Sequence, residues 1–461
     1  MDHLPGAYYL RQKVSGQLAQ HFEGYGYQGI ELPIIENVDL HLRKTGQGIR
    51  RWLYRFQDQT GAELCLRPEI TASVVRALLP QLADTALPLR LHYQGPVFRQ
   101  NQQPHQTTQL GVELIGLTGE LAEAECIEMA FTGLQRLGLT DLELVLSHMG
   151  VVIGMVEDWI EEERYRDFVI ASYSNLGQEL PTVGHLAQRL DELGLLTPTE
   201  PLPETQQQLA QVLAGLGRHQ SQVLLTGLLE MLQMTTDQGP TRDMAEVVER
   251  LVTKLDRATQ QAGVRKFITA AQELALVKGP AQTTLPALAQ FLAHHGLVPS
   301  YHRSLTDLLG YLAQTTLPAP VLDFSFGRTL HYYSGLIFEI RHRGVTLCGG
   351  GRYDGLLRSL GSLTDCPTVG FSYHLEHITD ALALPPTSWQ LPGFVQVVLC
   401  PATPTDYGSA VQIAHRLRAQ GRTVLVQPDH SAPDRIVIQG NQAILPDGQT
   451  LPIAGLTTYL P

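Results

Sequence analysis

The sequence predicts an α+β chain: an antiparallel sheet with flanking helices, a helical insertion and a small C-terminal α/β module. Three observations predict it. Residues 327–355, GRTLHYYSGLIFEIRHRGVTLCGGGRYDG, read as two strands, LIFEI (336–340) and VTLC (345–348), joined by the short polar connection RHRG of an antiparallel hairpin. Residues 152–315 carry a mostly helical pattern, broken by proline-rich stretches at 196–204 and 278–286. Residues 393–461 alternate strand, helix and strand through FVQVVLC, YGSAVQIAHRLRAQG and RTVLVQ.

The 461 residues exceed one ordinary core, so several domains are expected. The boundaries fall at 1–150 and 317–386 for two parts of the sheet domain, 151–316 for the helical insertion and 393–461 for the terminal module. Hydrophobic content of 43% and charged content of 17% are those of a globular chain. No run is long and apolar enough for a membrane span, and MDHLPGAYYLRQK lacks the apolar core of a signal peptide, so a cytoplasmic location is expected. The five cysteines (65, 126, 348, 366 and 400) have no CxxC spacing, which argues against a zinc site or a disulfide framework. A net charge of −12 does not favour nucleic acid as a main partner.

In chain order, Leu10, Val14, Leu18 and Phe22 form one stripe of a helix over 8–23, ended by Gly24-Tyr25-Gly26. YQGIELPIIE then reads as a strand, with Pro33 marking an edge or an interface. WLYRF (52–56) and ELCLR (63–67) read as a hairpin about DQTG, followed by LRPEIT (66–71). In an extended chain Glu69 and Thr71 face the same side. A helix begins at 72 and stops at Pro80. LRLHYQGPVFRQ (89–100), carrying Arg99, and TQLGVELIG (108–116) are the next strands; Gln109 and Glu113 share a strand face with Gly111 between them, leaving room for something. Residues 117–137 read as a helix, and DLELVLSHMGVV as a strand leading into a turn. TVGFSYHLEHITDAL (368–382) is a strand running into a helix.

Folding the 336–348 hairpin brings Arg328, Tyr332 and Tyr333 to the same end of the sheet as Arg352, Tyr353 and Asp354. Glu69, Thr71, Gln109 and Glu113 are costly to bury without a partner. Each alone is best read as a solvent-facing sheet residue; together they suit a small cation such as an ammonium or an imidazole.

Six ordered segments resemble the histidyl-tRNA synthetase catalytic domain, a class II aminoacyl-tRNA synthetase-like fold. YGYQGIELPIIE resembles motif 1, a dimer-interface element; LRPEIT resembles the histidine-ammonium site; GPVFRQ…TQLGVELIG resembles motif 2 and the following strand. RTLHYYSG and GGGRYDGL resemble the two histidine signatures, and TVGFSYHLEHI sits where motif 3 belongs. The resemblance covers roughly 1–150 and 318–385. It implies that Glu69 and Thr71 hold an amino-acid ammonium, that Gln109 and Glu113 address its polar groups, and that Tyr333 and Tyr353 bound the imidazole beside Tyr332. Arg328 or Arg99 would take the carboxylate.

The sequence departs from that family's pattern on the ATP side. Asn101 stands where a glutamate helps to hold ATP, the loop QNQQPHQTT carries no arginine, His377 replaces the motif 3 arginine and His331 an aspartate. Adenylation develops phosphate charge that needs fixed cations, and a neutral histidine is a poor substitute for a guanidinium. Loss of adenylation with a retained amino-acid site is the pattern of a sensor, and SHMG (147–150) resembles a paralogue group, the regulatory subunits of ATP phosphoribosyltransferase. That resemblance implies a non-catalytic subunit with no cofactor. It also implies a short-form catalytic partner, a hetero-octamer, self-dimerisation through motif 1 and histidine as feedback ligand in the first step of histidine biosynthesis. The alternatives are a histidine–tRNA ligase with atypical ATP motifs and a stand-alone histidine-binding regulator. The terminal module resembles a truncated anticodon-binding domain, and a surviving tRNA contact is not expected.

Overall fold

The computed structural model describes residues 5–45, 47–174, 182–192, 223–224, 261–327, 332–363, 365–382, 396–427, 435–454 and 456. They fall into two compact units, residues 11–384 and residues 385–461, the second also taking in residues 2–10.

The first unit is built on a nine-stranded sheet in the order β1-β5-β6-β12-β11-β10-β7-β9-β8. Its centre is antiparallel: β5 (Leu89–Phe98), β6 (Gln106–Ile115), β12 (Thr368–His374), β11 (Val345–Arg352), β10 (Leu336–His342) and β7 (Leu142–His148). β1 (Gln28–Gly29) joins β5 in parallel, and β9 (Val321–Asp323) lies parallel to β7 and antiparallel to β8 (Lys278–Pro280). β8 lies within the stretch expected to be a helical insertion, whose remaining described residues are mostly helical.

One face of the sheet is covered by α4 (Glu120–Arg136) and by α1 (Pro5–Gly24) from Arg11 onward. Phe22 stacks on Tyr373 with centroids 5.9 Å apart and meets Phe371 edge-on, while the Tyr373 hydroxyl donates to the Ala130 carbonyl at 2.7 Å. Gly133 allows this approach, because a Cβ there would lie 2.4 Å from the Tyr373 oxygen.

Three expectations change. YQGIELPIIE is not one strand: Gln28–Gly29 and β2 (Ile35–Asn37) flank a non-strand break. The Leu32 and Pro33 carbonyls in that break accept from the buried Arg67 guanidinium at 2.8 and 3.0 Å. β2 instead forms a small sheet with β4 (Glu63–Leu66) and β3 (Arg55–Gln57). SHMGVV does not end in a turn. Met149 opens helix α5 (Met149–Trp159), and the His148 ring Nδ1 caps it by accepting from Gly150 N at 3.1 Å. Thr71 is not extended but begins α3 (Thr71–Leu78).

The second unit has a five-stranded sheet in the order β14 (Thr423–Val426), β13 (Gln396–Pro401), β15 (Arg435–Gln439), β16 (Gln442–Ile444) and β17 (Thr450–Pro452), and Ile413 and Leu417 of the helix at Tyr407–Ala419 share one core with Leu399, Ile436 and Ile438. Asp406 ties the turn before that helix, accepting from the Thr403 hydroxyl at 2.6 Å and from Gly440 N at 2.7 Å. All five cysteines are free and buried, and among the described residues no helix is long and apolar enough to cross a membrane.

Candidate functional site

The face of the sheet away from α1 and α4 carries a row of polar side chains set by strand register. β12 pairs Gly370 with Glu113, Ser372 with Gly111 and His374 with Gln109; on the other side of β6, Leu91, Tyr93 and Gly95 of β5 oppose the same three residues. Directly opposed residues of antiparallel strands share a face. Gln109, Glu113 and Tyr93 therefore converge, with glycines and one serine as their floor.

The Glu113 carboxylate is fully buried. One oxygen accepts from the Tyr93 hydroxyl at 3.1 Å and the other from the Tyr353 hydroxyl. Gly370 makes room for this arrangement: a Cβ there would lie 2.0 Å from the Glu113 oxygen and 2.9 Å from the Tyr353 hydroxyl. Gly111 does the same for Tyr93, whose hydroxyl would be 2.7 Å from a Cβ at 111. Gln109 Nε2 donates to the Ser372 hydroxyl at 3.4 Å, whereas its Oε1 is buried with no hydrogen-bond partner among the described residues. A buried acceptor without a donor costs on the order of 1–3 kcal/mol, a cost that a donor placed beside this oxygen would relieve.

A second wall comes from the chain after β4. Arg67 anchors it, donating from Nε to the Pro96 carbonyl at 3.0 Å and filling the space that any side chain at Gly95 would need. Glu69 is buried at the start of α3, where both carboxylate oxygens accept from Ala72 N at 3.1 and 3.2 Å. A carboxylate is favoured at the positive end of a helix. The buried His41 ring lies 3.7 Å from the same carboxylate. Glu69 and Thr71 thus come together through a helix start; an extended chain is not what aligns them.

The third wall is aromatic. The Tyr332, Tyr333 and Tyr353 rings form a triangle with centroids 4.7, 5.1 and 6.0 Å apart. The hairpin places them together, and Ser334 N donates to the Arg352 carbonyl at 2.9 Å. Burial raises the Tyr332 phenol well above its ordinary pKa, with the negative potential of Tyr333, Glu69 and Glu113 adding to it. Burial and the Glu113 charge act in the same direction on Tyr93. Both phenols stay protonated, and that of Tyr93 donates to Glu113. The whole is an acceptor-rich, tyrosine-walled site suited to a small amine or imidazole.

Arg99 lies at the rim and is directed at the protein, with Nε on the Pro68 carbonyl at 2.9 Å and Nη1 on Gln102 Oε1 at 3.2 Å. At the same end of β6, Glu376 accepts from Thr108 N at 3.0 Å and pairs with Arg11 at 3.0 Å. His377 is exposed, its Nδ1 2.8 Å from the Thr346 carbonyl and its ring 5.2 Å from that of His374. Arg328 and His331 lie outside the described residues.

Sequence reasoning missed Tyr93, His41, Ser372 and Gly370. Tyr93 was open to discovery through its register opposite Gly111; His41 carries no local signal. It also missed a cleft of about 230 Å³ bordered by Glu123, His148 and Arg352. Arg352 opposes Val369, whose row faces α4, and there it forks onto Glu123 at 2.5 and 2.7 Å.

The family model for histidyl-tRNA synthetase matches residues 1–213 and 197–378. A protein of Brucella anthropi named ATP phosphoribosyltransferase regulatory subunit is 31% identical over 364 residues, covering 76% of this chain and 92% of its own length. A protein of the same name from Symbiobacterium thermophilum is 28% identical and covers 92% of this chain and 88% of itself. The histidine–tRNA ligase of Methanocaldococcus jannaschii is 27% identical over 82% of this chain and 73% of its own. Among solved structures, an ATP phosphoribosyltransferase regulatory subunit/histidyl-tRNA synthetase from Bacillus halodurans aligns with a TM-score of 0.63 at 21% identity, covering 95% of this chain and 97% of that one. The class II synthetase-like fold is common to them.

Proposed function

Because the chain belongs to the histidyl-tRNA synthetase family, on the branch of the ATP phosphoribosyltransferase regulatory subunits, we propose that it is the non-catalytic partner that a short-form phosphoribosyltransferase needs for activity. It carries histidine feedback into the first step of histidine biosynthesis. Histidine sits among Glu69, Thr71, Gln109, Glu113 and the three tyrosines, with its ammonium held by Glu69 and Thr71, its other polar groups addressed by Gln109 and Glu113 and its ring bounded by Tyr333 and Tyr353. Binding to one conformation of the assembly better than to another shifts the assembly toward it. The partner complex is a hetero-octamer in which this chain self-associates through its motif 1 region.

The observation that carries the proposal is the contrast between the amino-acid pocket and its surroundings beyond Arg99. In the pocket, Gln109 Oε1 is buried without a hydrogen-bond partner among the described residues, beside the acceptor and tyrosine set. Beyond it, Arg99 is turned onto Pro68 and Gln102, Asn101 and His377 supply no guanidinium, and the Glu376 carboxylate is paired with Arg11. A triphosphate there meets too little cationic stabilisation for adenylation. The alternative of a histidine–tRNA ligase requires that charge.

Two measurements on the purified chain test this: calorimetric titration with histidine, and histidine-dependent ATP–pyrophosphate exchange. The proposal expects saturable histidine binding and no exchange. Exchange above background would make the chain a ligase, and absence of histidine binding would remove the pocket assignment.

A further inference from the structure

We propose that Glu273, His294 and His295, far along the chain from the polar site, form a binding site for a divalent transition-metal ion such as zinc. Each offers one ligand atom, and these three atoms lie within 4.8 Å of one another. Imidazole nitrogen and carboxylate oxygen are the donors such ions take, and three protein ligands leave a fourth position open.

Three features set the cluster apart from a chance surface grouping. The first is electrostatic. Glu273 lies in the last turn of the helical stretch at 261–274, and His294 and His295 in the last turn of the helix Ala281–His295, which Gly296 ends in a left-handed conformation. Two helix C-termini, the negative ends of their dipoles, thus bring their last turns to the same spot, where a cation is favoured.

The second is preorganisation. The His295 ring is largely covered, packed 4.5 Å from Phe291 and 5.7 Å from Trp159 between centroids. Trp159 in turn carries Lys266 over its ring at 4.1 Å. Gly263 lets the 261–274 stretch approach so closely that a Cβ would lie 2.0 Å from the Trp159 carbonyl oxygen. One ligand is therefore held while the exposed Glu273 and His294 are free to adjust.

The third is distance. His295 Nε2 and Glu273 Oε2 stand 2.8 Å apart, and the His294 and His295 rings meet edge to face at 4.8 Å. Ligands about 2.0–2.1 Å from a tetrahedral ion sit roughly 3.3 Å from one another. A swing of about an ångström by the two exposed side chains reaches that spacing.

The test uses the full chain, freed of metal by chelation and titrated with zinc by calorimetry and with cobalt by visible absorption. Wild type is expected to take up one ion in this cluster, with the absorption of a four-coordinate cobalt site. Partners outside a metal's ligand shell already contribute about 10–100-fold to affinity, so Glu273→Gln and His294→Ala, both exposed, should each lower affinity by at least that order. Their metal-free melting temperatures should stay at the wild-type value. No uptake by wild type, or uptake that survives both substitutions together, would overturn the site and leave a hydrogen-bonded His295–Glu273 pair.

Discussion

Glu113 and Gly370 face each other across β6 and β12, and the glycine's missing side chain is what lets the Glu113 carboxylate lie against the Tyr353 hydroxyl. A methyl at 370 would sit 2.0 Å from a carboxylate oxygen and 2.5 Å from the Val112 carbonyl oxygen. Neither neighbour can yield, one being backbone and the other held by two tyrosines. Gly370→Ala is expected to lower stability by about 1–3 kcal/mol, as overpacking does, and to weaken histidine binding. Urea unfolding and calorimetry on the same sample read both.

Glu113→Gln keeps the shape and removes the charge. Hydrogen bonds to a charged group are worth about 1.5–3 kcal/mol, so histidine affinity should fall more than tenfold while the chain remains folded. Unchanged affinity would place the ligand elsewhere.

His148 gives the fold a pH signature. Its ring is buried, and burial pushes its pKa down to about 4, against an ordinary 6.5. The unfolded chain then binds a proton that the folded chain refuses between those values. Stability contributed by the neutral ring is complete above pH 6.5 and is lost as pH falls toward 4, by on the order of 3 kcal/mol. His148→Asn retains an acceptor for Gly150 N and removes the titration. The stability difference between variant and wild type should therefore change across that window and be flat above it, as measured by unfolding at several pH values.

Arg352 and Glu123 join the strand after the glycine run to α4 by a nearly buried fork. Glu123→Ala leaves the guanidinium with only Asp354 and the Gly119 carbonyl, and stability should fall by about 3 kcal/mol. Replacing both partners, with Arg352→Met and Glu123→Leu, should recover most of it. Thermal melts of the three proteins check this.

His377→Arg alone should not restore adenylation, because the loop after Arg99 still lacks a positive charge. ATP–pyrophosphate exchange by the variant should stay at background.

The central strands were legible because alternation, glycines and the RHRG connection act locally. The faces of Gln109 and Glu113 followed from a two-residue period that the register preserves. Two helix starts were not legible. Glu69 caps α3 three residues ahead through its carboxylate, and His148 caps α5 through its ring; neither is among the usual capping residues. Pro33 broke a predicted strand because the carbonyls there go to Arg67, a partner 34 residues away that no local pattern reveals. Tyr93 and His41 join the site through tertiary packing, which residue order does not encode locally.

The central claim is tested most directly by phosphoribosyl transfer from the short catalytic subunit of the same genome, assayed with and without this chain while histidine is titrated in. The account predicts that activity depends on this chain, that histidine suppresses it, and that Glu113→Gln shifts the suppression to higher histidine. Activity indifferent to this chain would contradict it.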